Sequence, residues 1–92
     1  MSEPQVINNP AQNRFEVEQA GLLAVLNYRR VDQTIVLEET QVPSELEGQG
    51  IGSALARAGL EYARAGGLAV NPVCPFVLRY LTRHPEYGDL IK

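Results

Sequence analysis

Ninety-two residues, 45% of them apolar and 21% charged, make one small globular domain with no room for a second core. A net charge of −3 with no basic run argues against nucleic acid as the main partner, and no apolar stretch approaches the roughly 20 residues that a membrane span needs. The single cysteine, Cys74, excludes an internal disulfide and a cysteine-based metal site. A chain this short buries only roughly 60–65% of its unfolded surface, which makes a homodimer interface a natural source of extra stability. Met1-Ser2-Glu3-Pro4-Gln5 has neither the charged nor the apolar region of a signal peptide, so the expected compartment is the cytoplasm.

Residues 1–12 are polar and hold Pro4, Asn8, Asn9 and Pro10, so a flexible N-terminus is expected, followed by one domain over 13–92. Arg14 to Gln19 alternates Phe15 and Val17 with Glu16 and Glu18, the pattern of a half-buried strand. After the short turn Ala20-Gly21, Leu22 to Val31 is more apolar and reads as a central strand. Asp32-Gln33 is a two-residue turn candidate, although it lacks the glycine such turns favour. Thr34 to Val42 forms the next strand, so three strands with short links predict an antiparallel meander. On a regular strand Glu38 and Glu39 point to opposite faces, which excludes a paired carboxylate site.

Pro43 ends that strand, and the period then changes. Ile51, Ala54, Leu55, Ala58 and Tyr62 fall at helical spacing, opposite Ser53, Arg57, Glu61 and Arg64. Gly66-Gly67 stops this helix. Leu68-Ala69-Val70 is short and wholly apolar, as in a strand covered on both faces, and the intervening helix predicts a parallel crossover next to Thr34–Val42. Pro75 suits the first turn of a last helix with Phe76, Val77, Tyr80 and Leu81 on its buried face. Pro85 limits that helix, and residues 86–92 read as a short tail of at most one helical turn.

The densest signal is Glu47-Gly48-Gln49-Gly50-Ile51-Gly52, between a strand and a helix. Alternate glycines let backbone approach a ligand closely, and the helix N-terminus aims unpaired N–H groups and a positive dipole end at the same spot. Such a site suits phosphate, while a steric requirement of the turn alone is the competing reading. A Walker loop needs G-x-x-x-x-G-K-S/T, and the only lysine here is Lys92. A dinucleotide fingerprint needs G-x-G-x-x-G and an acidic residue about 20 positions on; the third glycine comes one position early and residues 66–76 hold no Asp or Glu.

The spacing is similar to the pyrophosphate loop of the GNAT acetyltransferases, R/Q-x-x-G-x-G/A. Thr40-Gln41-Val42-Pro43, Leu46 to Leu55, Cys74-Pro75-Phe76-Val77 and His84-Pro85-Glu86-Tyr87 together resemble a family of very short GNAT-like acetyltransferases, over nearly everything after about residue 13. The resemblance implies an α/β GNAT-like fold with a mixed, mainly antiparallel sheet and two main helices. It also implies acetyl-coenzyme A as the cofactor, an amine as acceptor, and a donor-binding set of Val42, Glu47, Gly48, Gln49, Gly50, Ile51, Gly52, Ser53 and Asn71. In such a fold the loop amides hold the pyrophosphate, with Gln49 and Ile51 pointing away from it. The pantetheine arm lies where the parallel strands splay, with Val42 as its backbone partner. The thioester then falls near Glu39 and the start of the last helix. Two departures stand out: Glu47 replaces the usual Arg or Gln, and Glu39 stands where the short family has His. Ala20-Gly21 also replaces the two helices that shape the acceptor site in full-length relatives.

Acyl transfer to an amine needs a base, an oxyanion stabiliser and an acid for the departing thiolate. Glu39 is the carboxylate candidate for the base. Tyr80 sits where many relatives carry their acid tyrosine, against the plainer reading of a core aromatic. Cys74, at the start of a helix and near the implied thioester, occupies a place that favours a nucleophilic thiolate and allows an acetyl-cysteine intermediate; a small buried hydrophobe is its alternative. His84 lies roughly 15 Å along the helix from Cys74 and about 80° around it, so it does not activate the thiol and more simply serves the helix end. Among the arginines, Arg57, one turn past the loop, is the candidate for phosphate contact, ahead of Arg29 and Arg30. Nothing resembles a metal site.

Overall fold

A computed structural model describes residues 4–91. Five strands form one sheet in sequence order: β1 (Ile7–Asn9), β2 (Arg14–Gln19), β3 (Leu22–Val31), β4 (Thr34–Gln41) and β5 (Ala69–Pro72). The first four pair antiparallel, as a meander with short links must. β5 pairs parallel to β4 after a crossover through α1 (Ile51–Gly66). A 3-10 turn at Ser44–Leu46 precedes α1, and α2 (Pro75–Arg83) is followed by a 3-10 stretch at Pro85–Leu90. Ile91 then bridges to Val70 on the outer edge of β5.

β1 places Ile7–Asn9 in the sheet, within the stretch read from the sequence as a flexible start; residues 1–3 lie outside the described part. Periodicity could not reveal β1, because its order comes from polar partners. Asn8 accepts the Tyr28 hydroxyl at 2.7 Å, and the Asn9 side-chain amide donates to Glu16 at 3.0 Å. Glu16 also takes the Arg14 guanidinium at 2.5 Å. Those donors, Arg14 first, hold its carboxyl below the ordinary value. Both two-residue hairpin turns use left-handed residues: Ala20 at φ 54° with Gly21 at φ 75°, and, without a glycine, Asp32 at φ 53°. An aspartate tolerates that region better than most side chains, which accounts for a tight Asp32-Gln33 turn without glycine.

One apolar core joins the sheet to both helices. Ile51, Leu55, Leu60 and Ala63 of α1 lie over Phe15, Val17, Leu26, Ile35 and Leu37, and Val77, Tyr80, Tyr87 and Leu90 extend the same core. Gly59 sets how close α1 comes to the sheet, for an added Cβ would sit 3.3 Å from methyls of Leu26 and Leu37. Gly67, at φ 66°, caps α1, and its N–H donates to the Ala63 and Arg64 carbonyls. Among the described residues no helix is long and apolar enough to cross a membrane.

The 3-10 stretch is tied to α1. Arg64 donates to the Glu86 carbonyl at 3.0 Å and to Asp89 at 3.2 Å, while the Tyr87 hydroxyl donates to Glu61 at 2.5 Å. The Glu61 bond, then burial, pushes the Tyr87 phenol up from 10.0 to about 12. An unfolded tyrosine gives up its proton near pH 10, so this stabilisation is intact below pH 10 and lost as pH rises through about 12. Urea melts should therefore show Tyr87→Phe to be less stable at neutral pH by about 1 kcal/mol, with a shallower alkaline decline. Equal declines in both proteins would remove Tyr87 from that transition.

Candidate functional site

The site lies where the sheet comes apart. Pairing of β4 with β5 runs from Thr34↔Ala69 to Leu37↔Pro72 and stops, although β4 continues to Gln41. Beyond Pro72 the chain turns into α2, and the Cys74 N–H donates to the Leu37 carbonyl at 2.9 Å, closing the base of the gap. On its other side β4 bulges. Leu37 faces Tyr28 and Glu39 faces Asn27, which leaves Glu38 as the extra residue. Bulges bend a strand and re-aim its side chains. Here the bulge overturns the alternation expected of Glu38 and Glu39, because both line the same cavity. Glu38 is held by Arg29 at 3.1 Å.

The cavity has a volume of about 640 Å³. One wall is β4 with Glu38, Glu39 and Thr40, continued by Val42 just past its end. A second is the glycine loop with Leu46, Glu47, Gly48, Gly50, Ile51, Gly52 and Ser53, and a third is Cys74 with α2 residues Pro75, Phe76, Arg79 and Arg83. Of the expected site residues, these walls bring together Glu39, Val42, Glu47, Gly48, Gly50, Ile51, Gly52, Ser53 and Cys74. Gln49, Asn71 and Tyr80 lie elsewhere. The Gln49 side chain bonds that of Gln19 on the outer surface, and Asn71 is exposed on β5 opposite Val36. Tyr80 is buried and stacks on His84 with ring centroids 4.0 Å apart. Burial pushes its phenol above the ordinary value, with Arg57 opposing.

The three loop glycines have different physical causes. Gly48 and Gly50 adopt φ of 82° and 77°, where side chains are strained, and a Cβ at either would meet nothing within 4 Å. They shape the loop while leaving open space around it. Gly52 has ordinary φ, but a Cβ there would stand 2.7 Å from the Phe76 ring. Its role is to let α2 press against the first turn of α1. Gly50 caps α1 without a side-chain bond, and no acidic residue stands in the first turn. The N–H groups of Ile51, Gly52 and Ser53 lack intrahelical partners by helix geometry, so the cavity faces a positive dipole end with no acidic residue in its own first turn.

Cys74 is 2% exposed, and its Sγ lies 3.2 Å from the Thr40 hydroxyl. Register places Thr40 opposite core residue Leu26, on the helix-bearing side of the sheet where α2 begins. Thr40, Phe76, Arg79 and Arg83 were not among the expected site residues. For the three on α2 the signal was the spacing 76, 79, 83, a helical stripe beginning two residues after the cysteine. Arg57, the expected phosphate contact, lines a separate hollow of about 240 Å³ with Pro4, Val6, Ala54, Ala58 and Glu61.

A family model described as GCN5-related N-acetyl-transferase matches residues 14–90. The chain is 32% identical over 84 residues to protein NATD1 of Gallus gallus, covering 88% of this chain and 76% of that protein. It is 35% identical over 63 residues to protein NATD1 of Mus musculus, covering 67% and 57%, so it spans little more than half of the mouse protein. Among solved structures, a GCN5-like protein from Staphylococcus aureus determined by NMR superposes with a TM-score of 0.73 at 32% identity, over 100% of this chain and 91% of the other. With a family model matching most of its length and the GNAT fold in its sheet and helices, the chain belongs to the GCN5-related N-acetyltransferase family.

Proposed function

We propose that this chain is an acetyl-coenzyme A-dependent N-acetyltransferase acting, in the cytoplasm, on a small amine or an accessible protein amine. The observation that carries the reading is the uncapped α1 N-terminus opening into the same cavity as the parted β4–β5 edge and Cys74. The residues fit an acyl thioester donor that bears phosphates. Gly48 and Gly50 leave the loop backbone open, the amides of residues 51–53 offer three donors to a pyrophosphate, and Val42, just past the end of β4, offers its backbone to a pantetheine amide. When bound, the coenzyme supplies an activated acetyl group and a thiolate leaving group.

In this reading Glu39 takes a proton from the incoming ammonium and so frees the amine for attack at the acyl carbon. Backbone N–H groups beside the bulge stabilise the oxyanion. Cys74 and Thr40 form the hydrogen-bonded pair on the wall that returns a proton to the leaving sulfur. Tyr80 lies outside these walls, which favours its plainer role as a core aromatic over that of the acid.

One feature favours a second reading, a coenzyme A-binding module without catalysis. β1, β2 and β3 follow one another through short turns, residues 10–13 and Ala20-Gly21, so among the described residues no helices stand between the first strands to close the acceptor side.

Calorimetric titration with acetyl-coenzyme A and free coenzyme A tests the binding half of the proposal, and an acceptor screen tests transfer. Loss of both ligands would end it. Intact mass after mixing with acetyl-coenzyme A separates this direct route from one through Cys74 as a nucleophile: direct attack leaves no acetyl adduct, whereas a one-acetyl adduct that disappears in Cys74→Ser would replace it with an acetyl-cysteine route. An adduct that survives the substitution would assign the acetyl group elsewhere.

A further inference from the structure

We infer that Arg79 and Arg83 form a phosphate clamp on α2, separate from the loop amides, which gives the site its preference for a polyanionic donor. The inference rests on the coenzyme A reading and goes beyond it, since the loop's backbone donors and the clamp's guanidinium groups are different groups on different elements.

The cavity needs cations that its loop does not supply. The chain carries a net charge of −3, Glu47 stands at the loop entrance, and Glu38 and Glu39 line the opposite wall. A donor with a pyrophosphate and a phosphomonoester would enter an acidic frame held only by backbone dipoles. Among the described residues, most arginines near the sheet and helices are committed elsewhere: Arg14 to Glu16, Arg29 to Glu38, Arg30 to the Tyr62 hydroxyl and Arg64 to Asp89. Arg79 and Arg83 have no such bond and both line the cavity.

Their placement is fixed by helix spacing and by one ring. Four residues apart on a helix, they project from one face. The Arg79 guanidinium sits 5.8 Å from the centroid of Phe76, the ring that presses on Gly52 in the first turn of α1. One guanidinium is therefore braced beside the loop–helix junction, and the second stands about one turn, roughly 6 Å, farther out along α2. A guanidinium offers a planar fork of donors that matches phosphate oxygens, and exposed lysine-like point charges would not reproduce that match.

The test titrates wild type, R79Q, R83Q and the double variant with coenzyme A and with 3′-dephospho-coenzyme A. Both side chains are exposed, so melting followed by circular dichroism should show little change. The double variant is expected to bind coenzyme A about tenfold or more weakly, with a flatter salt dependence than the wild type. If the loss appears only with coenzyme A, the clamp grips the 3′-phosphomonoester; an equal loss with both ligands assigns it to the pyrophosphate. A folded double variant that binds coenzyme A as tightly as wild type overturns the clamp and leaves the coenzyme reading standing. A wild type that binds neither ligand overturns both.

Discussion

Gly50→Leu is expected to abolish measurable binding of acetyl-coenzyme A by a domain that still folds. Gly50 sits at φ 77°, and nothing lies within 4 Å of an added Cβ, so the first side-chain carbon meets no clash. Its stability cost is backbone strain, about 1–3 kcal/mol. The functional cost is larger, because relieving that strain turns the cap of α1 and the free amides behind it away from the cavity. A leucine side chain would also occupy the open space where a phosphate should lie. Gly67 provides the matched control. It has φ 66°, open space around it, and lies at the far end of the same helix. Gly67→Leu should lose similar stability and keep its affinity. Calorimetry on both variants separates strain from site, and a Gly50→Leu protein that binds like wild type would end the loop's assignment.

Gly59→Leu is expected to be the most destabilising substitution in the helix. An alanine methyl there would meet Leu26 and Leu37 at 3.3 Å, a few tenths of an ångström too close. The helix propensity gained over glycine, about 1 kcal/mol, roughly offsets that crowding, so Gly59→Ala should change stability little. Leucine adds three more carbons against a fully buried surface. Driving α1 off the sheet should cost about 3 kcal/mol or more, a fall in melting temperature of roughly 12–24 °C for a domain this size. Thermal unfolding of the two variants checks this; equal melting temperatures would mean that α1 is not seated where Gly59 places it.

Most of the fold was legible because it follows from period. Alternation marked β2 and β4, a more apolar run between short turns marked β3, helical spacing marked α1 and α2, and Gly66-Gly67 and Pro75 marked their limits. β1 was hidden because Ile7-Asn8-Asn9 has one apolar residue, 60% exposed, and is ordered by bonds to Tyr28 and Glu16 that only the folded pairing brings near. The glycine loop was legible as a set, though its members were not. Only the backbone angles and the Phe76 ring distinguish Gly48 and Gly50, which bend the chain, from Gly52, which makes room. Arg79 and Arg83 gave no sign of their place, because the sequence does not say which surface the polar side of α2 meets. Glu38 and Glu39 were misread for a sharper reason. Strict alternation assumes an even ladder, and no residue type in Glu38-Glu39-Thr40 announces a bulge.

That bulge changes what kind of information the site depends on. β4 spends one residue more than β3 between Leu37 and Glu39, and this surplus, of the kind that bends a strand, falls where its pairing with β5 stops. Every pairing on either side is otherwise in step. A chain one residue shorter at this point could keep Thr40, Cys74, the glycine loop and both arginines, and still close the gap they surround. Exchanging Glu38 for another amino acid leaves the count intact, whereas removing it does not. The opening is thus written as a length rather than as a letter, and insertions and deletions bear on it more heavily than substitutions do.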